Sequence, residues 1–270
     1  MAFRCGTILE RFTQIDMLHV DVWWRGQNVL TDAGSYLYNG SERWHNHFMR
    51  TAAHNTVKLD DKDQMLHYRQ FKTLYWTKAK RLNFDDQVEW AICAGEHYGY
   101  QRYSGGCTHR RAVLYLKDDL IIVADTIFGQ GVHVARLHWL GGDFPDAFDE
   151  ESCRLILTTP HGPFSITVLD RFAKARVGDV RSGVEAPARG WLSRYFGEKL
   201  PVPSFAVQTE EALPLTFITL MGPDVPRFAA SDDIWTISAN TLTVRFRLSE
   251  GMFTGVTVRP TPIAEPTFAL

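Results

Sequence analysis

The sequence predicts an all-β fold, a large antiparallel β-sandwich of the supersandwich-like kind with little helix. Apolar and polar residues alternate in short segments rich in β-branched and aromatic residues, each bounded by Gly, Asp, Asn or Pro. That is the period-two signature of strands with one buried face. No segment carries the i, i+3, i+4, i+7 stripe of an amphipathic helix. The segments are also too numerous for one flat sheet, so stacked sheets are the economical packing.

In chain order the predicted strands are Leu18–Trp24, His54–Asp60, Thr73–Ala79, Gln87–Cys93, Arg111–Leu116, Leu120–Asp125 and Val134–Leu140. Six more follow: Arg154–Thr158, Phe164–Leu169, Leu215–Leu220, Ile234–Ser238, Thr241–Leu248 and Thr254–Val258. Lys174–Pro203 is interrupted by repeated Gly and Pro and reads as one long surface excursion, a loop length that is often functional. With 270 residues, 45% of them hydrophobic, the chain can bury a sizeable core, and one domain over 1–270 is expected.

Composition excludes several classes of function. Lys and Arg number 29 against 31 Asp and Glu, so the formal charge is −2 and no global footprint for nucleic acid or an anionic membrane exists. Any anionic partner must be recognised locally. The longest uncharged apolar stretch, Ala212–Pro223, is well short of the roughly 20 residues that span a bilayer. Arg4, Glu10 and Arg11 interrupt the first residues, so they carry no signal-peptide pattern. Cys5, Cys93, Cys107 and Cys153 lack CxxC spacing, which predicts ordinary thiols, not a zinc knuckle or a disulfide framework.

Chemistry concentrates in the first 65 residues. Alternation in Leu18–Trp24 puts Leu18, Val20, Val22 and Trp24 on one face and His19, Asp21 and Trp23 on the other. Asp32-Ala33-Gly34, Tyr36, Tyr38, Trp44-His45-Asn46-His47 and Ala53-His54-Asn55 follow, so four of the ten histidines fall between residues 19 and 54. A single histidine is commonly a hydrogen-bonded structural residue; clustering points to a shared site.

These residues resemble a known family, the heparinase II/III-like polysaccharide lyases, in their C-terminal β-sandwich domain. The carrying segments are Arg11–Leu30, Asp32–Gly40, Arg50–Val57 with Asp63-Gln64-Met65, His109–Leu114 followed by Ile121–Asp125, and Gly190–Lys199. The resemblance implies cleavage of uronic-acid-containing polysaccharides by β-elimination. The uronate carboxylate is neutralised, a base takes the C5 proton, and an acid protonates the departing glycosidic oxygen, work that suits His and Tyr. It also implies a divalent metal ion, zinc or calcium, of structural character, held by an Asp and two His. Carried over residue by residue, two ligands fall on Asp32 and His54 and the third on Gln14, with Asp16 beside it. The family further implies a periplasmic or cell-envelope setting.

Two departures bear on activity. Many members carry His-x-His-x-Asp where this chain has Phe12-Thr13-Gln14-Ile15-Asp16, and Gln14 cannot serve as a base. Full-length members begin with an α/α toroid that supplies the other wall of the cleft, whereas this chain opens at the sandwich. The isolated chain is therefore expected to be inactive and to need a missing or separate toroid. If a base lies within the sandwich, His19 and Tyr38 are the candidates. Tyr36, two residues from Tyr38 on an extended segment and so pointing the same way, is a candidate for sugar contact. Arg43, Arg50 and Arg194 are candidate carboxylate clamps and His97 a loop residue able to reach a ligand. Each has a plainer reading, as a solvated arginine, a packed ring, a turn-capping Asp32, a strand-end Asp16 or a satisfied sheet histidine at His54, and His109-Arg110-Arg111 reads as structural. Two other functions fit the same residues: a non-catalytic carbohydrate-binding or accessory module, and a free-standing metal-dependent hydrolase.

Overall fold

Strands account for 58% of the chain and helix for about 1%, the latter a single 3-10 turn at Thr51–Ala53. This computed structural model describes residues 1–7, 14–41, 43, 44, 46–69, 72–117, 120–239 and 242–260; Phe12, His45 and Thr241 lie outside them.

At the centre is an eight-stranded antiparallel sheet. Its strands lie in the order Asp146–Asp149, Arg154–Thr159, Gly162–Leu169, Leu215–Gly222, Leu120–Phe128, Thr108–Leu116, Trp90–His97, Ala79–Asp86. Against one face packs a four-stranded sheet, Gly178–Arg181, Ser204–Ala212, Val132–Leu140 and Val57–Leu59, together with Val20–Trp24 and Gln27–Leu30. Val113, Val123 and Phe217 of the central sheet meet Leu137, Phe205 and Val22 there, all fully buried. Against the other face packs a C-terminal sheet, Arg227–Ser231, Ile234–Ala239, Leu242–Ser249 and Met252–Pro260. Its Trp235, Val244 and Phe246 meet Leu114, Ile122 and Leu220. The stacking therefore has three layers, and the central strands are apolar on both faces: in Leu120–Phe128 every residue but the last is buried.

The structure departs from the predicted strands where position in a sheet overrides local pattern. Thr73–Ala79 is not one strand: Lys72–Leu74 ends a small hairpin, and the long strand is Ala79–Asp86. That strand is the edge of the central sheet and carries Lys80, Arg81, Asp85 and Asp86, the charges that keep an edge from pairing further. Ser204–Ala212 was hidden by Gln208, Glu210 and Glu211 at its far end, where burial alternates. The excursion 174–203 is no plain loop. Gly178–Arg181 joins the second sheet, Val184–Glu185 pairs with Ala188–Arg189, and Trp191–Leu192 pairs with Leu200–Pro201. All four cysteines are free thiols.

Candidate functional site

Three segments converge at the start of the second layer. His19 precedes the strand Val20–Trp24, Asp32 follows Gln27–Leu30, and His54 closes the 3-10 turn Thr51–Ala53. Ligand-type atoms of His19, Asp32 and His54 all lie within 4.8 Å of one another. His54 Nδ1 is 3.5 Å from Asp32 Oδ2, and the two imidazole rings meet edge to face with centroids 5.6 Å apart. Both histidines are fully buried.

The residue that gathers these segments is Asn55. Its side-chain amide donates to Val20 O (2.9 Å) and Thr31 O (3.2 Å), its Oδ1 accepts the Leu140 amide (2.6 Å), and its own backbone N–H donates to His19 Nδ1 (3.0 Å). Gln64 holds the preceding residue pair, accepting from Met17 N (2.8 Å) and donating to Met17 O (3.0 Å). Beneath lies Arg111, fully buried, whose Nη1 donates to Leu18 O (2.7 Å) and Asn55 O (2.5 Å). Its Nε and Nη2 fork onto the two oxygens of buried Asp125 (2.6 and 2.9 Å). His109 Nε2 also meets Asp125 (2.7 Å), and His109 Nδ1 meets His97 Nε2 (3.2 Å). Every member of this buried polar chain has a partner, as burial requires.

The cluster itself does not satisfy its atoms. His19 Nε2, both ring nitrogens of His54, Asp32 Oδ2 and Gln14 Oε1 are shielded from solvent without a hydrogen-bond partner. Asp32 Oδ2 has ion pairs only, to His54 and to Arg4 Nη1 at 3.0 Å. Buried polar atoms without hydrogen-bond partners are costly, and the convergence of those on His19, Asp32 and His54 fits a site for a cation. The electrostatics agree. Burial disfavours the Asp32 carboxylate, yet the imidazole of His54, 3.5 Å away, outweighs it and holds the group far below the usual range. Burial likewise opposes a proton on His54, and Asp32 reverses the balance upward. His19 is driven well down, first by burial and then by His54.

The same aspartate orders the adjoining surface. Its Oδ1 accepts the Gly34 amide (2.8 Å), and Gly34, at φ +82°, sits so close to Ser193 O that a Cβ would lie 2.1 Å from it. Ser193 N donates to Ala33 O (2.8 Å), Tyr36 N to Ser193 Oγ (3.0 Å) and Gly197 N to Tyr36 O (2.9 Å). Residues 193–197 are thereby laced along 33–36, and Tyr38 and Phe196 form an exposed ring pair with centroids 5.3 Å apart.

Several sequence expectations change. The structure adds His19 beside Asp32 and His54; Gln14 donates to the Gly34 carbonyl (3.3 Å), the residue whose amide Asp32 accepts, and buried Asp16 is ion-paired with Arg4. His19 is accordingly sealed from solvent and cannot meet a sugar directly. Laid on Met17–Asp21 instead of Phe12–Asp16, the His-x-His-x-Asp pattern keeps its second His and its Asp, the signal that could have placed His19. His97 is also unable to reach a ligand, because it ends a central strand fully buried against His109. Tyr36 and Tyr38 do not share a face. Tyr36 has φ +52°, which breaks the extended run, and packs on Trp44 and Phe48. Arg43, Arg50 and Arg194 are exposed and paired with Glu185 (3.0 Å), Asp63 (3.4 Å) and Asp143 (3.3 Å). Asn55, Arg111 and Asp125 were missed as organisers, since an inward-facing arginine on a strand looks like any solvated one.

The family model for the heparinase II/III-like C-terminal domain matches residues 1–227. The chain belongs to that family. This heparinase II/III-like domain is 26% identical over 125 residues to a heparin-sulfate lyase of Bacteroides stercoris, covering 44% of this chain and 16% of the relative. It is 24% identical over 157 residues to the heparin-sulfate lyase of Pedobacter heparinus, covering 57% and 22%. The crystal structure of heparan sulfate lyase HepC from Pedobacter heparinus superposes with a TM-score of 0.68 at 18% identity, over 92% of this chain and 37% of that one. The chain thus spans about a fifth or less of the curated relatives' length.

Burial of neutral histidines makes the domain acid-labile. His97 and His138 are driven well below 6.5 by burial first and neighbouring positive charge second, and His47 falls to about 4 through burial and then Arg50. The unfolded chain takes up these protons below pH 6.5 and the folded one does not, so stability falls as pH drops from there toward 4, by about 1.4 kcal/mol per pH unit for each such group. His54 acts oppositely, contributing below pH 6.5 and losing that contribution as pH rises through its raised value. Five lowered histidines, His19, His47, His97, His109 and His138, against two raised ones, His54 and His133, predict urea midpoints that decline steadily from pH 7 to pH 5; a flat profile would contradict the burial argument.

Proposed function

We propose that this domain is the sandwich half of a polysaccharide lyase that cleaves uronic-acid-containing glycans by β-elimination, completed by an α/α toroid on the same or another chain. The observation that carries the reading is the converging set of buried atoms on His19, Asp32 and His54 that lack hydrogen-bond partners, placed at the root of an exposed aromatic surface. The heparin-sulfate lyase relatives give the substrate class. Two imidazoles and one carboxylate suit zinc better than calcium, which prefers oxygen donors. A divalent cation bound there would supply the charge that holds the three segments together.

The chain's own residues then act in order. Asp32 fixes Gly34 and with it the 33–36 strip; Ser193 and Gly197 pair with that strip; Tyr38 and Phe196 offer a surface on which a sugar ring can stack. The Tyr38 hydroxyl, on the exposed side, is the sandwich's candidate for moving a proton to or from the sugar. A purely binding role has one observation in its favour, the sealing of His19 and His97 away from solvent. The two readings part on the product: elimination leaves an unsaturated uronate with its own ultraviolet absorbance, whereas binding leaves the glycan intact.

Titrating zinc into the isolated chain tests the cluster. Wild type is expected to gain several degrees in thermal midpoint, since ligand at 100 times Kd contributes about 2.7 kcal/mol, and His54→Ala to gain none. No shift in wild type would reject the metal assignment.

A further inference from the structure

We propose that the outer face of the C-terminal sheet is a second binding surface, separate from the cluster, for an acidic polysaccharide. The sheet's inner face is committed to the core through Trp235, Val244, Phe246 and Phe253. Strand alternation then leaves Arg245 and Arg247 pointing outward, both exposed. The register extends the line sideways: Arg227 opposes Ser238, Ser238 opposes Thr243, and Thr243 opposes Arg259. Arg245 is flanked by Thr236 and Thr257, and Arg247 by Ile234 and Thr254. Thr236, Thr243, Arg245, Arg247, Thr257 and Arg259 line an open trough of about 450 Å³, with Arg227 farther along the same face.

Three features select the ligand. The four arginines have no ion-pair partner among the described residues, unlike Arg43, Arg50 and Arg194. The sheet's acidic residues, Asp232, Asp233 and Glu250, lie in its turns and not on the face. Residues two apart on a strand are spaced by about 6.7 Å, so Thr243, Arg245 and Arg247 present a regular line that a polymer with an anion on each repeat can follow and a single small anion cannot. The arginines stand among hydroxyl side chains that bond within the sheet, Ser238 with Thr243 at 2.9 Å, and the outward positions hold no aromatic ring on which nucleic-acid bases would stack. Apart from Arg227, every residue of this face lies beyond the family match at 1–227, and the face lies across the central sheet from His19, Asp32 and His54.

The test uses the whole chain and measures binding of two probes, a heparin decasaccharide and an oligogalacturonate of equal length, over a series of salt concentrations. Wild type is expected to bind at least one. Arg245→Ala with Arg247→Ala should weaken binding about tenfold or more and flatten the salt dependence by about two ions, with an unchanged thermal midpoint because both side chains are exposed. Arg245→Lys with Arg247→Lys should keep most of the affinity. Binding of heparin alone identifies sulfate as the recognised group, and binding of both identifies carboxylate as sufficient; each supports the proposal. Wild-type affinity in the double alanine variant, no binding of either probe by wild type, or equal affinity for single-stranded DNA of matched charge would overturn it.

Discussion

Replacing Arg111 by leucine is expected to lower the thermal midpoint by roughly 10 °C. The change leaves Asp125 buried without its guanidinium partner, a loss of about 3–5 kcal/mol for a broken buried ion pair, and each kcal/mol moves the midpoint of a chain of this size by about 2–4 °C. Asp125 is held below the usual carboxylate range, against burial, first by the charge of Arg111 and then by His109, so its remaining neighbour cannot substitute. A second effect distinguishes this arginine from an ordinary core residue. Its Nη1 holds the carbonyls of Leu18 and Asn55, the residues adjoining His19 and His54. Zinc affinity should therefore fall with stability in Arg111→Lys, which keeps the charge but not the fork. Calorimetry and zinc titration of that milder variant check both, and a wild-type midpoint together with wild-type zinc affinity would refute the argument.

The isolated chain is expected to show no measurable turnover on heparin, heparan, alginate or related uronates. Elimination needs carboxylate neutralisation, a base and an acid around one sugar, and each misplaced group costs roughly 10² to 10⁴ in rate. His19 and His97 are buried, which leaves one wall of a cleft. Joined to a matching helical toroid, the domain should release unsaturated oligosaccharide, and Asp32→Ala or His54→Ala should then reduce the rate by about 10- to 100-fold, the usual cost of disturbing groups that orient a metal site. Rapid release by residues 1–270 alone would contradict this and put the base on Tyr38, the exposed member of the candidate pair.

Much of this was legible beforehand because the strands that build the core obey period two and the site residues lie near each other in sequence. Asp32 and His54 came from the resemblance to the heparinase II/III-like lyases, and the fold brings them together. His19 was found as a residue but given the wrong company, since nothing local tells whether a histidine one step before a strand faces solvent or the interior. Leu18 at φ +61° turns it inward. His97 was read as a loop residue because the strand before it extends beyond Cys93 through small residues, Ala94 and Gly95. Three strands of the third layer were predicted, but their place on the second face of the central sheet was not. Leu120–Phe128 reads as one apolar run, and only tertiary packing shows that its two faces serve two different cores.

That doubly covered sheet sets a limit on where the chain can be cut. The family match ends at residue 227, inside the first strand of the C-terminal sheet, yet Leu114, Ile122 and Leu220 rely on residues after it for cover. A chain shortened to the matched segment would present a broad greasy plane of hydrogen-bonded strands to water, a surface of the kind that drives self-association. The unit recognisable by descent is therefore smaller than the unit that covers its own core.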